Sequence, residues 1–202
     1  QIEEILEKNG LMENTMIIFT SYKGQVIDDG YKDEAVEKLG NHKPNGIFRG
    51  GKYSAFEAGT RVPMIVSWKG NVVPGKVNDA LFSQIDLYAS LASFAGIAVE
   101  QGQAPDSKNH LPVLLNKSQQ PREYLVEQSL HSTLSLIVGD WKYIEPSTKV
   151  KVNKDTNTEL GNDPKPQLYN LADDPGETKN LAEVYPERVA EMKLRLESIR
   201  QK

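Results

Sequence analysis

The residues best suited to chemistry lie in a glycine-punctuated stretch, Phe48 to Pro63, which carries one lysine and two arginines. Paired glycines before Lys52 let backbone N–H groups approach an anion, and the lysine ammonium is a compact positive charge for an oxyanion. The stretch also fits a surface loop in which the arginines pair with Glu57 or Asp29. Spacing alone does not separate the two interpretations.

Two other segments are candidate sites. Ser21–Gly24 comes directly after an apolar run, and ligand sites in open α/β sheets collect at the carboxyl ends of strands. Leu168–Leu181 has the pattern of a strand, a Pro-Gly turn and a capped helix, so structure explains it better than chemistry.

Neither the acidic pairs nor the histidines predict a site by themselves. The pairs at 28–29 and 173–174 each adjoin a turn glycine or proline, which favours turns over paired acid–base catalysis. His110 and His131 have no metal-ligand spacing to each other or to His42, and we interpret both as structural or surface residues.

The composition excludes several classes of function. The 202 residues include 24 basic and 28 acidic ones, with a formal charge of −4 and no Lys/Arg block, so we expect no nucleic-acid partner. The absence of cysteine excludes disulfides, thiolate metal sites and cysteine nucleophiles. The most apolar stretch, Ala80–Val99, is interrupted by polar residues such as Asp86, so we expect no membrane span. The sequence opens inside a helix pattern without an export signal, and we expect that a preceding segment has been removed.

The first half of the chain has an α/β pattern. Residues 1–10 carry apolar side chains at helical spacing, and two short apolar runs, Thr15–Thr20 and Val62–Trp68, suit buried strands. Apolar residues between Ser83 and Ala95 predict a packed helix that Gly96 ends. The long Gly-rich stretch between the strands is of a kind that usually carries function.

The second half has the pattern of a small antiparallel sheet followed by a helix. Its predicted strands are 123–130, 134–138 and 141–144, with a hairpin turn at Gly139-Asp140 and an edge strand at 167–171. Trp141 and Tyr143 alternate on one strand, and we expect them to pack against the terminal helix that begins at Pro186. The polar composition of 149–166 predicts a mobile surface loop.

In this order, six motifs resemble the C-terminal part of the sulfatase family, in the alkaline-phosphatase-like superfamily, and most of all its bacterial glycan-acting members. The resemblance covers nearly the whole chain, and the motifs are Thr-Ser-x-x-Gly at 20–24, Arg-Gly-Gly-Lys at 49–52, Glu-x-Gly-Thr-Arg-Val-Pro at 57–63, Gln-Ile-Asp-Leu at 84–87, Gly-Asp-Trp-Lys-Tyr-Ile at 139–144 and Leu-Tyr-Asn-Leu-x-x-Asp-Pro-Gly-Glu-x-x-Asn-Leu at 168–181.

The resemblance implies sulfate ester hydrolysis by a formylglycine nucleophile beside a calcium ion, both contributed mainly by sequence upstream of this chain. Lys52 matches the family lysine that contacts the sulfate near the leaving-group oxygen, so it is the predicted catalytic residue, with a surface ion pair as the alternative. His42, Lys43 and Arg49 are predicted substrate-binding residues, because the loop before this lysine contacts substrate in such enzymes; an incidental exposed histidine is the alternative for His42.

The chain departs from the family at Tyr22 and Lys23. The family places a carboxylate followed by Asn or His there and uses the residues after the strand as calcium ligands. Calcium takes six to eight hard oxygen ligands, which a phenol and an ammonium do not replace, so the sequence predicts no intact metal site. Either the site is degenerate, or the Lys23 ammonium occupies the position of the cation.

The implied fold class is α/β, the C-terminal portion of an alkaline-phosphatase-like α/β sandwich plus a small antiparallel sheet packed on a C-terminal helix. The expected domains are 1–115, with the Lys52 loop, and 116–202. The expected partners are a sulfated carbohydrate or aryl sulfate and the N-terminal remainder of the same protein. Family resemblance suggests a periplasmic or secreted protein.

Two alternatives stay open on the sequence. A non-catalytic protein of this family would bind sulfated glycan without cleaving it, as the residues at 22 and 23 indicate. A phosphate or phosphonate ester hydrolase of the same superfamily would instead carry a transition metal such as zinc or manganese at the full site.

Overall fold

A computed structural model describes residues 1–201, which form short helices and short antiparallel strands. The helices are α1 Ile2–Lys8, α2 Ala35–Lys38, α3 Glu57–Thr60, α4 Asp86–Phe94, α5 Leu111–Leu114 and α6 Pro186–Arg200. The strands are β1 Ile17–Thr20, β2 Met64–Ser67, β3 Leu125–Gln128, β4 Leu134–Val138, β5 Trp141–Ile144, β6 Val152–Asn153, β7 Thr158–Glu159 and β8 Gln167–Asn170. No helix in this part of the chain has both the length and the apolar character needed to cross a membrane.

The chain forms two compact units that are interleaved in sequence. The first comprises Gln1–Ser21 and Pro63–Glu123, and the second comprises Tyr22–Val62 and the chain from Tyr124 onward. The predicted domains, 1–115 and 116–202, follow the family resemblance and not the compactness of the chain. That division stays a prediction.

In the first unit, β1 pairs antiparallel with β2, so the two predicted apolar runs form one ribbon. Phe19 and Ile65 lie opposite each other in the ladder and are 64% and 59% exposed. The prediction that these strands are buried is therefore wrong for the described chain, because a two-stranded ribbon leaves part of each strand uncovered.

The helix predicted from 83 to 95 is confirmed as α4, and Gly96 follows it with a φ of +70°. Asp86 begins the helix and is fully buried. Its carboxylate accepts the backbone N–H groups of Ser83 at 3.1 Å and Lys108 at 2.8 Å and also binds the buried guanidinium of Arg122. The charge of Asp86 is therefore fully compensated inside this unit.

The second unit is built on a four-stranded antiparallel sheet in the order β3-β4-β5-β8. The predicted hairpin at Gly139-Asp140 and the predicted edge strand are confirmed. Helix α6 places Met192 and Leu196 in the same buried cluster as Tyr143, and Trp141 packs on this cluster. The predicted packing of the strand aromatics against the terminal helix is therefore confirmed.

Residues 149–166 differ from the mobile loop predicted for them. They contain the hairpin β6-β7, and Leu160, which follows it, is fully buried. The buried side chain of Asn162 donates to the carbonyl of Val150 at 2.6 Å and accepts from the Thr133 hydroxyl at 2.6 Å. Polar side chains order this segment through hydrogen bonds to the sheet, which composition alone does not reveal.

Candidate functional site

The Lys52 loop lies directly against the segment that carries Tyr22 and Lys23, and glycines make this approach possible. The Lys52 N–H donates to the carbonyl of Gln25 at 2.8 Å, and the Gly24 N–H donates to the carbonyl of Gly59 at 3.0 Å. A Cβ on Gly24 would lie 1.6 Å from the carbonyl oxygen of Ala58. Only glycine therefore allows these two pieces of backbone to pack together.

Replacing Gly24 by alanine should separate the two segments. No rotamer change relieves a contact with a backbone oxygen, so we expect Gly24→Ala to lower the free energy of unfolding by about 3 kcal/mol. Urea unfolding followed by far-UV circular dichroism measures this loss. Gly46→Ala is the control, because its Cβ would meet nothing within 4 Å and only its φ of +58° is strained. Equal losses in the two variants would show that the close approach is not what Gly24 provides.

Lys52 is half-buried, and its ammonium lies between two tyrosine rings. The Nζ atom is 5.5 Å from the ring centroid of Tyr22 and 5.3 Å from that of Tyr53. The neighbouring Tyr22 hydroxyl raises the pKa of Lys52, and the ammonium lowers the pKa of Tyr22. The ammonium is thus held charged and positioned, as a group that stabilises an oxyanion must be.

Arg49, three residues before Lys52, binds other groups of the protein. Its guanidinium contacts both carboxylate oxygens of Glu159, donates to the carbonyl of Glu177 at 2.8 Å and lies 4.0 Å above the ring of Phe56. These contacts give Arg49 a role in holding the loop. Its role in substrate binding stays a prediction.

The other predicted site residues are accessible. His42 and Lys43 are exposed, and the backbone N–H of His42 donates to the carbonyl of Leu39 at 3.1 Å in a turn. Their role in substrate binding also stays a prediction. His110 precedes α5, where its N–H donates to the Ser90 hydroxyl at 2.9 Å, and the carbonyl of His131 accepts from a lysine ammonium.

The acidic pairs form turns, as predicted. Asp28 accepts the N–H of Gly30, and Asp174 accepts the N–H groups of Thr178 and Lys179 at 2.7 and 2.8 Å. The arginine pairing that belongs to the surface-loop alternative is present in part, since Arg61 lies 3.2 Å from the carboxylate of Glu57, but Glu57 itself is buried.

A buried charge cluster was missed by the sequence analysis. The fully buried ammonium of Lys142 lies 2.9 Å from Glu57, 3.2 Å from Glu127 and 3.5 Å from Glu177. Burial works against this charge, but the three carboxylates outweigh it and raise the pKa of Lys142. A signal did exist: Glu57, Lys142 and Glu177 are charged residues in three separate family-like motifs, at 57–63, 139–144 and 168–181.

The residues around Tyr22 do not fit a calcium ion. Calcium prefers several anionic oxygen ligands, whereas Tyr22 offers a phenol bound to the Lys52 ammonium, next to Lys23. Within residues 1–201, no group of three or more His, Cys, Asp or Glu side chains is arranged to hold a metal. We therefore assign no chemistry to a metal bound by this chain.

The sulfatase family model matches residues 1–97. An N-acetylgalactosamine-6-O-sulfatase of Bacteroides thetaiotaomicron is 51% identical over 200 residues, which are 99% of this chain and 39% of that protein. A solved Bacteroides thetaiotaomicron structure from work on glycosaminoglycan metabolism matches with a TM-score of 0.95 and 51% identity, covering 100% of this chain and 42% of that one. Ps i-CgsB in complex with k-i-k-neocarrahexaose matches with a TM-score of 0.71 and 26% identity over 96% of this chain and 38% of that one.

The chain spans about two fifths of the length of these relatives. The structural match extends over the whole chain and confirms the expected α/β fold class with antiparallel sheets and a C-terminal helix. By sequence and by fold, the chain belongs to the sulfatase family.

Proposed function

We propose that this chain supplies the leaving-group side of a sulfatase active site that cleaves sulfate esters of a carbohydrate. The observation that carries the proposal is the position of Lys52, whose ammonium lies near the rings of Tyr22 and Tyr53 and whose backbone N–H is bonded to Gln25, beside the close approach that only glycine at position 24 allows. The names of the relatives support a sulfated sugar: one is an N-acetylgalactosamine-6-O-sulfatase, and another was solved with neocarrahexaose.

Lys52 acts on charge that develops during the reaction. As the bond between sulfur and the ester oxygen breaks, negative charge accumulates on that oxygen, and a fixed ammonium lowers the energy of this state more than that of the ground state. Tyr22 lies beside the ammonium, while exposed His42 and Lys43 would contact sugar hydroxyls or a second anionic group. The proposal places the formylglycine nucleophile and any calcium ion in sequence outside residues 1–202.

A second candidate function rests on Tyr22 and Lys23. If a phenol and an ammonium at these positions leave no calcium site in the full protein, the chain would belong to a protein that binds sulfated glycan without cleaving it. In this second function Lys52 would still bind the sulfate group, but the ester would not be cleaved.

A chimera tests the two candidates. Residues 1–202 would replace the matching region of the Bacteroides N-acetylgalactosamine-6-O-sulfatase, and sulfate release from N-acetylgalactosamine-6-sulfate would be measured by ion chromatography. We expect the folded chimera to release sulfate and the isolated chain to release none. Hydrolysis by the isolated chain would overturn the division of the site between two parts of the protein.

The matched variant of the chimera carries Tyr22→Asp and Lys23→Asn, which restores the family pattern. Binding without hydrolysis in the chimera, with hydrolysis regained in this variant, would establish the non-catalytic candidate. A folded chimera that neither binds nor cleaves the sugar, with the variant equally inert, would contradict both.

A further inference from the structure

The Lys142 cluster holds more negative than positive charge in a buried place. Three carboxylates, those of Glu57, Glu127 and Glu177, face one fully buried ammonium. Full ionisation would leave two negative charges in excess, and Arg61 offsets one of them from a half-exposed position. Because an uncompensated buried charge is costly, the cluster is most stable with one proton added.

The position of that proton follows from the hydrogen bonds. Glu127 accepts from the hydroxyls of Thr60 and Ser135, and Glu57 accepts from Lys142 and Arg61. Glu177 Oε2 accepts the N–H of Glu57 at 2.6 Å, and its buried Oε1, which lies 3.5 Å from the Lys142 ammonium, makes no hydrogen bond among the described residues. Glu177 is therefore the carboxyl that gains most from being neutral.

Glu177 also joins the two ends of the Lys52 loop. Its carboxylate binds the backbone N–H of Glu57, and its backbone carbonyl accepts from the guanidinium of Arg49. The Ala58 N–H donates to the Arg49 carbonyl at 3.0 Å and closes the loop. Any displacement of Glu177 is thus transmitted to both sides of Lys52.

We propose that Glu177 is a pH-sensitive clamp on the Lys52 loop: in its neutral form it joins Arg49 and Glu57, and loss of its proton places a third buried negative charge beside Glu57 and Glu127, whose repulsion loosens the loop. The clamp is a property of this chain alone. Only its consequence for catalysis rests on the proposed function of Lys52.

The electrostatics agree with this geometry. Burial raises the pKa of Glu177 to about 7, with Glu57 and Glu127 adding to the rise while Lys142 and the Glu57 N–H oppose it. Because the folded-state pKa is above the unfolded value, the stability that this group contributes is present at acidic pH and is lost as pH rises toward and through 7. The titratable and charged groups that face Glu177, directly or through a shared partner, are Lys142, Glu57, Glu127, Arg49, Tyr169, Glu159 and Arg61.

Amide hydrogen exchange in the isolated 202-residue chain tests the clamp. The N–H groups of Lys52 and Ala58 are hydrogen-bonded within and beside the loop, so their protection, corrected for the intrinsic exchange rate, reports its closure. Between pH 5 and 8 we expect this protection to fall by a factor on the order of 100 if the full shift of the Glu177 pKa is expressed in the loop. In Glu177→Gln, a permanently neutral isostere, the protection should no longer depend on pH.

Glu191→Gln is the matched control, since Glu191 is exposed on α6 in the same unit, and it should behave like the parent chain. Carbon-13 titration of the Glu177 carboxyl in the parent chain is the second measurement, and it stands even if Glu177→Gln does not fold. A midpoint near 7 supports the clamp, whereas a midpoint near 4.5, or equal pH dependence in the parent and in Glu177→Gln, overturns it. Neither measurement involves a sulfate ester, so a failure here leaves the proposed function intact.

Discussion

Replacing Lys142 by methionine is expected to unfold the second unit, or nearly so, at neutral pH. The substitution keeps the apolar stem of the side chain but leaves Glu57, Glu127 and Glu177 buried without their shared cation. Removing one partner of a buried ion pair typically costs about 3–5 kcal/mol, which is a large part of the total stability of most domains. Urea unfolding followed by the fluorescence of Trp141, in a Trp68→Phe background, measures this loss.

The loss should be smaller in acid. Without Lys142 the three buried carboxylates face one another with no shared cation, so protonation relieves the repulsion among them as pH falls. We therefore expect Lys142→Met to recover part of its stability between pH 8 and pH 5. Lys193→Met, at an exposed position that pairs with Glu197 on α6, controls for the loss of a charge and should cost less than about 1 kcal/mol, as surface pairs do. A similar loss in both variants would show that the cluster is not a stabilising unit.

Sequence periodicity predicted the four-stranded sheet and the terminal helix of the second unit but not this cluster. Alternation identified Trp141 and Tyr143 as one face of β5 and so fixed which side meets α6. The same alternation places Lys142 on the opposite face, where composition predicts solvent. The carboxylates that make its burial possible come from α3, β3 and the turn after β8, and no local pattern joins residues so far apart in the chain.

The contacts that hold the Lys52 loop could not be predicted from composition either. Residues 149–166 have the polar composition of a mobile loop, yet Glu159 on β7 binds the guanidinium of Arg49. The segment whose composition predicts the least order therefore helps to hold the loop that carries Lys52. Lys52 itself was predicted through the family-like motif at 49–52, whereas its contact with Tyr22 required coordinates, because the 29 residues between them contain only the short helix α2 as regular structure.

Lys52→Ala in the chimera should lower kcat for sulfate release by roughly 100–1,000-fold, the usual effect of removing one oxyanion donor. KM should change much less, because the charge that Lys52 stabilises appears on the leaving oxygen only as the bond breaks. The loss should be largest for a substrate with a poor leaving group such as a sugar alcohol. The loss should be smaller for an aryl sulfate, because its phenolate leaving group is already stable without a nearby ammonium.

The comparison between the two leaving groups separates chemistry from folding. A variant that merely distorts the loop would lose activity on sugar and aryl sulfates alike. Loss of a charge-stabilising group would instead lower the rate most for the substrate with the poorer leaving group. Lys154→Ala removes an exposed ammonium from the turn of the β6-β7 hairpin in the same unit and should leave both rates unchanged. Full activity of Lys52→Ala on the sugar sulfate, or equal losses on both substrates, would remove Lys52 from the leaving-group side. Lys52 would then contribute to substrate binding alone, as in the non-catalytic candidate.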